Sequence, residues 1–178
     1  MKPIYYLLLL SIWLLPSCIN RKKAADAAVK IVMPAQTEVY NPYITDTNNV
    51  TLKADNSQYK IYAFINVSCS SCLEKLVRWD KIQSQDPDFG KVAIIPVCYS
   101  RDNFELLKFM FESHKFPNIH FPLVLDLKDS FAIKNSSLAR AGDFTALTNA
   151  HDQVLLTGNP IENNKDKDQF LHIIRNTE

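Results

Sequence analysis

Cys69-Ser70-Ser71-Cys72 is the set of residues in this chain best suited to do chemistry. The thiolate is the reactive form of cysteine, and an ordinary thiol is mostly protonated at neutral pH. Two cysteines three positions apart lie one turn apart on the same side of a helix. They can close into a disulfide and reopen by exchange. If a helix starts at the first of them, unpaired backbone N–H groups and the positive end of the helix dipole favour its thiolate. On that reasoning Cys69 is the attacking thiol and Cys72 the resolving thiol. Two other uses of the same spacing stay open, a static structural disulfide and half of a metal site. A structural zinc site normally needs a second CxxC or a spaced histidine pair. His114, His120, His151 and His172 are not so placed.

The chain has four cysteines, and the other two are Cys18 and Cys98. Lys2 followed by the apolar run Ile4–Leu15 reads as a targeting segment, too short for a comfortable membrane span. The run ends in Leu15-Pro16-Ser17-Cys18, which resembles the bacterial lipobox. That resemblance implies a signal peptide over residues 1–17 and a lipid on Cys18. It also implies a place in the bacterial cell envelope, held to a membrane by acyl chains. The residues after Cys18 lack an acidic cluster, which points to the periplasmic face. Residues 18–36 are expected to be the lipidated N-terminus and a linker, with Arg21-Lys22-Lys23 lying near lipid headgroups. An oxidising compartment makes a lone exposed thiol a liability, so Cys98 is expected to be a packed core residue, with a regulatory thiol as the other possibility.

Composition narrows the alternatives. With 178 residues and 47% of them hydrophobic, the chain can bury a sizeable core as one domain, expected over 37–178. A net charge of +1 without a clustered basic face argues against nucleic acid. Only 3 glycines argue against a glycine-rich phosphate loop.

Tyr59–Val67 is mostly apolar and β-rich, the pattern of a strand covered on both faces. Ser68 is a candidate N-cap for the helix that follows, whose apolar face would carry Leu73, Leu76 and Val77. Val92–Cys98 reads as a second buried strand, Asn103–His114 as a helix, and Phe121–Asp126 as a short strand. Ser130–Lys134 should turn helically. Phe144–Thr148 and Gln153–Thr157 read as a hairpin around Asn149-Ala150-His151-Asp152. Asp166–Arg175 is the closing helix. One or two weak strands are expected between Thr37 and Asp55, for example at Val50-Thr51-Leu52. Trp79 and the run Phe109-Met110-Phe111 read as core packing. Glu74 and Lys75 read as solvated helix residues, with a proton relay as the other possibility. Strands alternating with helices, then a hairpin and a last helix, indicate an α/β layered fold.

The run Tyr59–Ile82, with its strand, CxxC and helix, resembles thioredoxin-like proteins. Phe121-Pro122-Leu123-Val124-Leu125-Asp126, before a short helix and hairpin, is similar to the membrane-tethered TlpA/ResA branch and the related peroxiredoxin-like group. The resemblance implies a three-layer α/β/α sandwich with a central mixed sheet and an inserted strand-helix. It implies a thiol-disulfide oxidoreductase, reductase or isomerase-like, acting on envelope protein thiols. Its partners would be protein thiol or disulfide substrates and a membrane or periplasmic electron donor, with no separate cofactor. The family's threonine-and-proline context of a peroxidatic cysteine is absent around Cys69. Three further positions depart from the family pattern. Ser68 stands where a tryptophan is common, and Ala63 where a buried acid is common. Ala141-Gly142-Asp143-Phe144-Thr145 stands where a cis-proline loop usually faces the cysteines, so a trans backbone is expected there. A non-catalytic binding module, or a protein that handles a soft metal such as copper, fits the same departures.

Overall fold

The computed structural model describes residues 29–40, 57–117, 119–139 and 143–176. The signal peptide, Cys18 and the expected strand at Val50-Thr51-Leu52 lie outside the described residues. In chain order the elements are β1 (Thr37–Tyr40), β2 (Tyr59–Asn66), α1 (Ser70–Gln85), β3 (Ala93–Tyr99), α2 (Glu105–Glu112), β4 (Leu123–Asp126), α3 (Ser130–Lys134), β5 (Phe144–Asn149), β6 (Val154–Thr157) and α4 (Asn164–Arg175). A short 3-10 turn, Phe89–Lys91, leads from α1 to β3.

The six strands form one mixed sheet in the order β1-β4-β3-β2-β5-β6. β2 pairs in parallel with β3 and antiparallel with β5. Both of its faces are therefore covered, and its side chains divide between two cores. Ile61, Ala63 and Ile65 join Leu73, Leu76 and Trp79 of α1, Leu107 and Phe111 of α2, and Phe170, Leu171 and Ile174 of α4. Tyr62 and Phe64 point the other way, into a smaller core with Ile95, Val97, Val124, Ala146 and Phe131 of α3. Successive residues of a strand face opposite sides, so one uninterrupted apolar run serves both cores. The steps β2–α1–β3 and β3–α2–β4 move the same way across the sheet. The preferred right-handed crossover then puts α1 and α2 on one face, as their shared core shows. The layers are α, β and α, as the sequence pattern anticipates.

Element boundaries shift where local backbone chemistry intervenes. The helix expected from Asn103 starts at Glu105, because Asn103 and Phe104 take left-handed backbone angles, φ 53° and 64°. Phe104 nevertheless buries its ring. The helix stops before His114, which is also left-handed. Phe111 is core as expected, but Phe109 is 52% exposed, with the Lys115 ammonium 4.9 Å over its ring. The hairpin turn forms where expected. Asn149 Oδ1 accepts from the N–H groups of His151 and Gln153, and Asp152 supplies the left-handed residue.

The last part of the expected linker is docked. Ile31 is buried in the smaller core, and Lys30 bridges to Gln153. Val32 donates its N–H to Asn135 Oδ1 at 2.9 Å and accepts from Asn135 Nδ2 at 3.0 Å. The packed fold thus begins before residue 37. Ile31, with Met33 packed beside it, covers the α3 face of the sheet, a use that alanine-rich composition upstream does not reveal.

Asn135 is itself buried and ties this segment to Phe131 O through a further 2.8 Å bond. Replacing Asn135 by alanine leaves the Val32 peptide groups unpaired and is expected to cost about 1–3 kcal/mol of stability. Urea unfolding of the Asn135→Ala chain measures this, with Ser136→Ala on the exposed surface expected to stay within about 0.5 kcal/mol of the parent.

Candidate functional site

β2 ends at Asn66, and the chain must turn sharply to start α1 within four residues. Asn66 Oδ1 accepts the Ser68 N–H at 2.8 Å, a side-chain turn that short polar residues favour. Cys69 then takes an extended conformation and becomes the N-cap, with its Sγ accepting the Cys72 N–H at 3.2 Å. This corrects the expectation that Ser68 caps the helix. Ser68 Oγ instead accepts the Arg101 N–H at 2.6 Å, which ties the cysteine turn to the loop after β3. Ser71 Oγ lies 3.3 Å from Cys69 Sγ.

Cys69 and Cys72 are joined as a disulfide, with Cα atoms 5.1 Å apart. Both residues are partly exposed. The N-cap arrangement leaves Cys69 Sγ facing one backbone donor and, from Ser71, one hydroxyl. After reduction these same donors would stabilise a thiolate on Cys69. No acidic side chain lies in the first turn of α1 to oppose that charge. Among the described residues no group of three or more His, Cys, Asp or Glu side chains is placed to hold a metal ion. No helix of the described residues is long and apolar enough to cross a membrane.

Cys98 is fully buried on the α1 side of the sheet. Burial, followed by the nearby Asp143 charge, pushes its thiol far above the ordinary range. It is packed in the core, as its place in an apolar strand anticipates. Ala63, where a buried acid would stand in the family pattern, packs with no exposure against Ile65 and the α1 core.

The facing segment holds the residue that sequence reasoning missed. Asp143 stands immediately before β5, opposite the end of β2. Its Oδ1 accepts the Asn66 N–H and the Tyr99 hydroxyl, each at 3.1 Å. Its Oδ2 accepts from Lys75 Nζ at 2.6 Å. One carboxylate thus joins the ends of β2 and β3 to the first turns of α1. Burial and then the Asp143 charge raise the Tyr99 phenol above its ordinary value, so the hydroxyl stays protonated and donates. Phe144 follows Asp143 and packs between Phe64 and Phe131, with ring centroids 5.7 Å away in each case. No peptide bond among the described residues is cis; Ala141 and Gly142 lie outside them. The available signal was the acid in a loop where the family pattern has proline. Its partners are 44 to 77 positions away in sequence, and only strand pairing brings them together.

The loop that receives Ser68 has its own acid. Asp102 accepts from Ser100 Oγ and, at 3.0 Å, from the Leu106 N–H at the start of α2. Burial alone would raise its pKa, but the bonds from Ser100 and the backbone outweigh it and hold the carboxyl below its ordinary value. A lowered folded pKa contributes stability that is present above the unfolded value of about 4 and is lost as pH falls through the folded value. Thermal melts between about pH 6 and 2 are therefore expected to show a shallower acid slope for Asp102→Asn than for the parent chain. At the cysteines, alkylation after mild reduction is expected to label Cys69 and Cys72 and to spare Cys98 until denaturant is added, as peptide mapping reads directly.

No protein-family model matches the sequence, and no curated protein matches it. Solved structures do. The N-terminal domain of PilB from Neisseria gonorrhoeae is 20% identical, with a TM-score of 0.50 covering 69% of this chain and 79% of that one. A thioredoxin-like protein from Porphyromonas gingivalis is 11% identical, with a TM-score of 0.51 covering 84% and 96%. A candidate protein disulfide isomerase from Bacteroides thetaiotaomicron is 21% identical, with a TM-score of 0.50 covering 82% and 88%. At these identities the likeness is one of architecture. The mixed sheet with its flanking helices agrees with that architecture, and the chain has the thioredoxin-like fold.

Proposed function

We propose that the chain is a thiol-disulfide oxidoreductase, lipid-anchored through Cys18 in the bacterial cell envelope and facing the periplasm. The observation that carries the reading is the Cys69–Cys72 bridge at the N-cap of α1, with Cys69 Sγ on the Cys72 N–H and both residues partly exposed. A structural disulfide has no need of a helix N-terminus, whereas a nucleophile gains from it. The description of one structural neighbour as a candidate protein disulfide isomerase is in keeping with this chemistry.

In the reducing direction the Cys69 thiolate attacks one sulfur of a substrate disulfide. A mixed disulfide forms, and the other substrate sulfur leaves as a thiolate that takes up a proton. Cys72 then loses its proton and attacks Cys69 Sγ. The Cys69–Cys72 bond forms as the mixed disulfide breaks, and the second substrate sulfur leaves and is protonated. Two electrons and two protons have passed to the substrate. A dithiol partner in the membrane or periplasm must reduce the pair before the next cycle. The same steps run backwards oxidise a substrate dithiol, and an attack that stops at the mixed disulfide can reshuffle a wrong bridge. Ser70 and Ser71 supply hydroxyls and no positive charge, which favours a reducing or isomerising role over a strongly oxidising one.

Insulin-disulfide reduction by the full chain in detergent is expected to be lost in Cys69→Ser. Cys72→Ser should accumulate a mixed disulfide visible on a non-reducing gel. Equal rates for the native chain and Cys69→Ser, or a reduction potential below about −300 mV, would mark the bridge as structural. The anchor has a separate readout. Labelled fatty acid should enter the native chain and not Cys18→Ser, and the latter should leave the membrane fraction.

A further inference from the structure

Lys75 and Asp143 form an ion pair at 2.6 Å, with side chains 28% and 25% exposed. Lys75 is three residues beyond Cys72, which places the two on the same face of α1. An unpaired ammonium there would act on the cysteine sulfurs in the same sense as the helix dipole, stabilising thiolates and with them the reduced pair. It is not unpaired. Asp143 is also held from two other elements, by the Asn66 N–H and the Tyr99 hydroxyl. Arg101 and Asp102 follow β3, and Glu74 is exposed beside Lys75 on α1. These surrounding charges are common to every variant below.

We propose that the Lys75–Asp143 pair sets the redox poise of the Cys69–Cys72 couple. Asp143, held by Asn66 and Tyr99, masks the Lys75 ammonium and so keeps the pair reducing. This rests on reading the pair as redox-active, and it gives the loop that lacks a proline a function of its own. A clamp that merely holds the loop would behave differently. Losing either partner of a clamp should disturb the site in the same sense, whereas losing either partner of a charge mask should act in opposite senses.

The test equilibrates the full chain in detergent with fixed ratios of reduced and oxidised glutathione at pH 7. The dithiol fraction of Cys69 and Cys72 is read by alkylation and mass shift. Asp143→Asn, which keeps the shape and frees Lys75, is expected to raise the dithiol-to-disulfide ratio about two- to fivefold, the effect of a partly exposed charge. Lys75→Met leaves the carboxylate uncompensated and should lower the ratio by a similar factor. The double variant should return to within about twofold of the native ratio, because neither charge remains. Lys75→Arg should keep the native ratio. Shifts of the two single variants in the same direction, or no shift in either, overturn the proposal. If Asp143→Asn fails to fold, the contrast of Lys75→Met with Lys75→Arg decides alone, and equal ratios for these two overturn it. A native pair that equilibrates with glutathione but does not reduce insulin would sink the protein-substrate reading and leave the poise measurable. A native pair that glutathione cannot reduce sinks both.

Discussion

β2 must bury both of its faces while pairing along both of its edges. The two layers that flank the sheet among the described residues follow from that constraint. An eight-residue strand with seven buried residues cannot sit at a sheet edge or against solvent. Its odd-numbered side chains require a helical layer, which α1, α2 and α4 provide. Its even-numbered ones require a second layer, which α3 and the docked segment around Ile31 provide. Even the one buried lysine of the strand, Lys60, is carried at its outer end and neutralised by Asp152 at 2.8 Å. The chain leaves β2 at the sheet's C-terminal edge with no choice but to turn, and the cysteine pair stands at that turn. In α/β sheets this is the end where strand-to-helix loops gather and where chemistry is usually done.

Two kinds of polar contact make the turn rigid. The Asn66 side chain takes up the Ser68 N–H within the turn, and Ser68 and Ser100 take up the Arg101 and Phe104 N–H groups of the neighbouring loop after β3. An unpaired N–H at this partly buried position would cost about as much as a lost core methylene pair, so the bonds are needed for the geometry to exist. The second kind is the single carboxylate of Asp143, which spans three elements. Together they fix where the CxxC helix begins relative to the loop that faces it. The arrangement differs from the family pattern in means rather than in layout. Polar side chains hold a loop where a proline would otherwise shape it, and a partly exposed ion pair, Lys75–Asp143, joins that loop to the cysteine helix.

Much of the fold is legible in the sequence because it depends on local periodicity. The apolar run at Tyr59–Val67, the helical spacing of Leu73 and Leu76, and the hairpin turn at Asn149–Asp152 each announce an element within a few residues. The misses have physical causes. Asn103 and Phe104 sit in left-handed backbone that apolar patterning cannot register, so α2 begins two residues late. Phe109 looks like core because its neighbours are, but its face of α2 points outward. Ser68 has the composition of a cap and lost that position when the Asn66 turn moved the first helical residue to Ser70.

At the site itself the division is sharper. The sequence alone determined that two thiols would lie one turn apart at a strand–helix junction, because that needs only spacing and short-range patterning. It also indicated that Cys98 would be buried, because it stands in an apolar strand. Only the tertiary structure decided what surrounds the pair. Asn66, Lys75, Tyr99 and Asp143 converge because β2 pairs with β3 on one edge and β5 on the other, and at the site that pairing brings Asn66 to Asp143, 77 positions away. A hydrogen bond or ion pair across such a distance leaves no periodic trace in the chain. It exists only once the sheet has assembled.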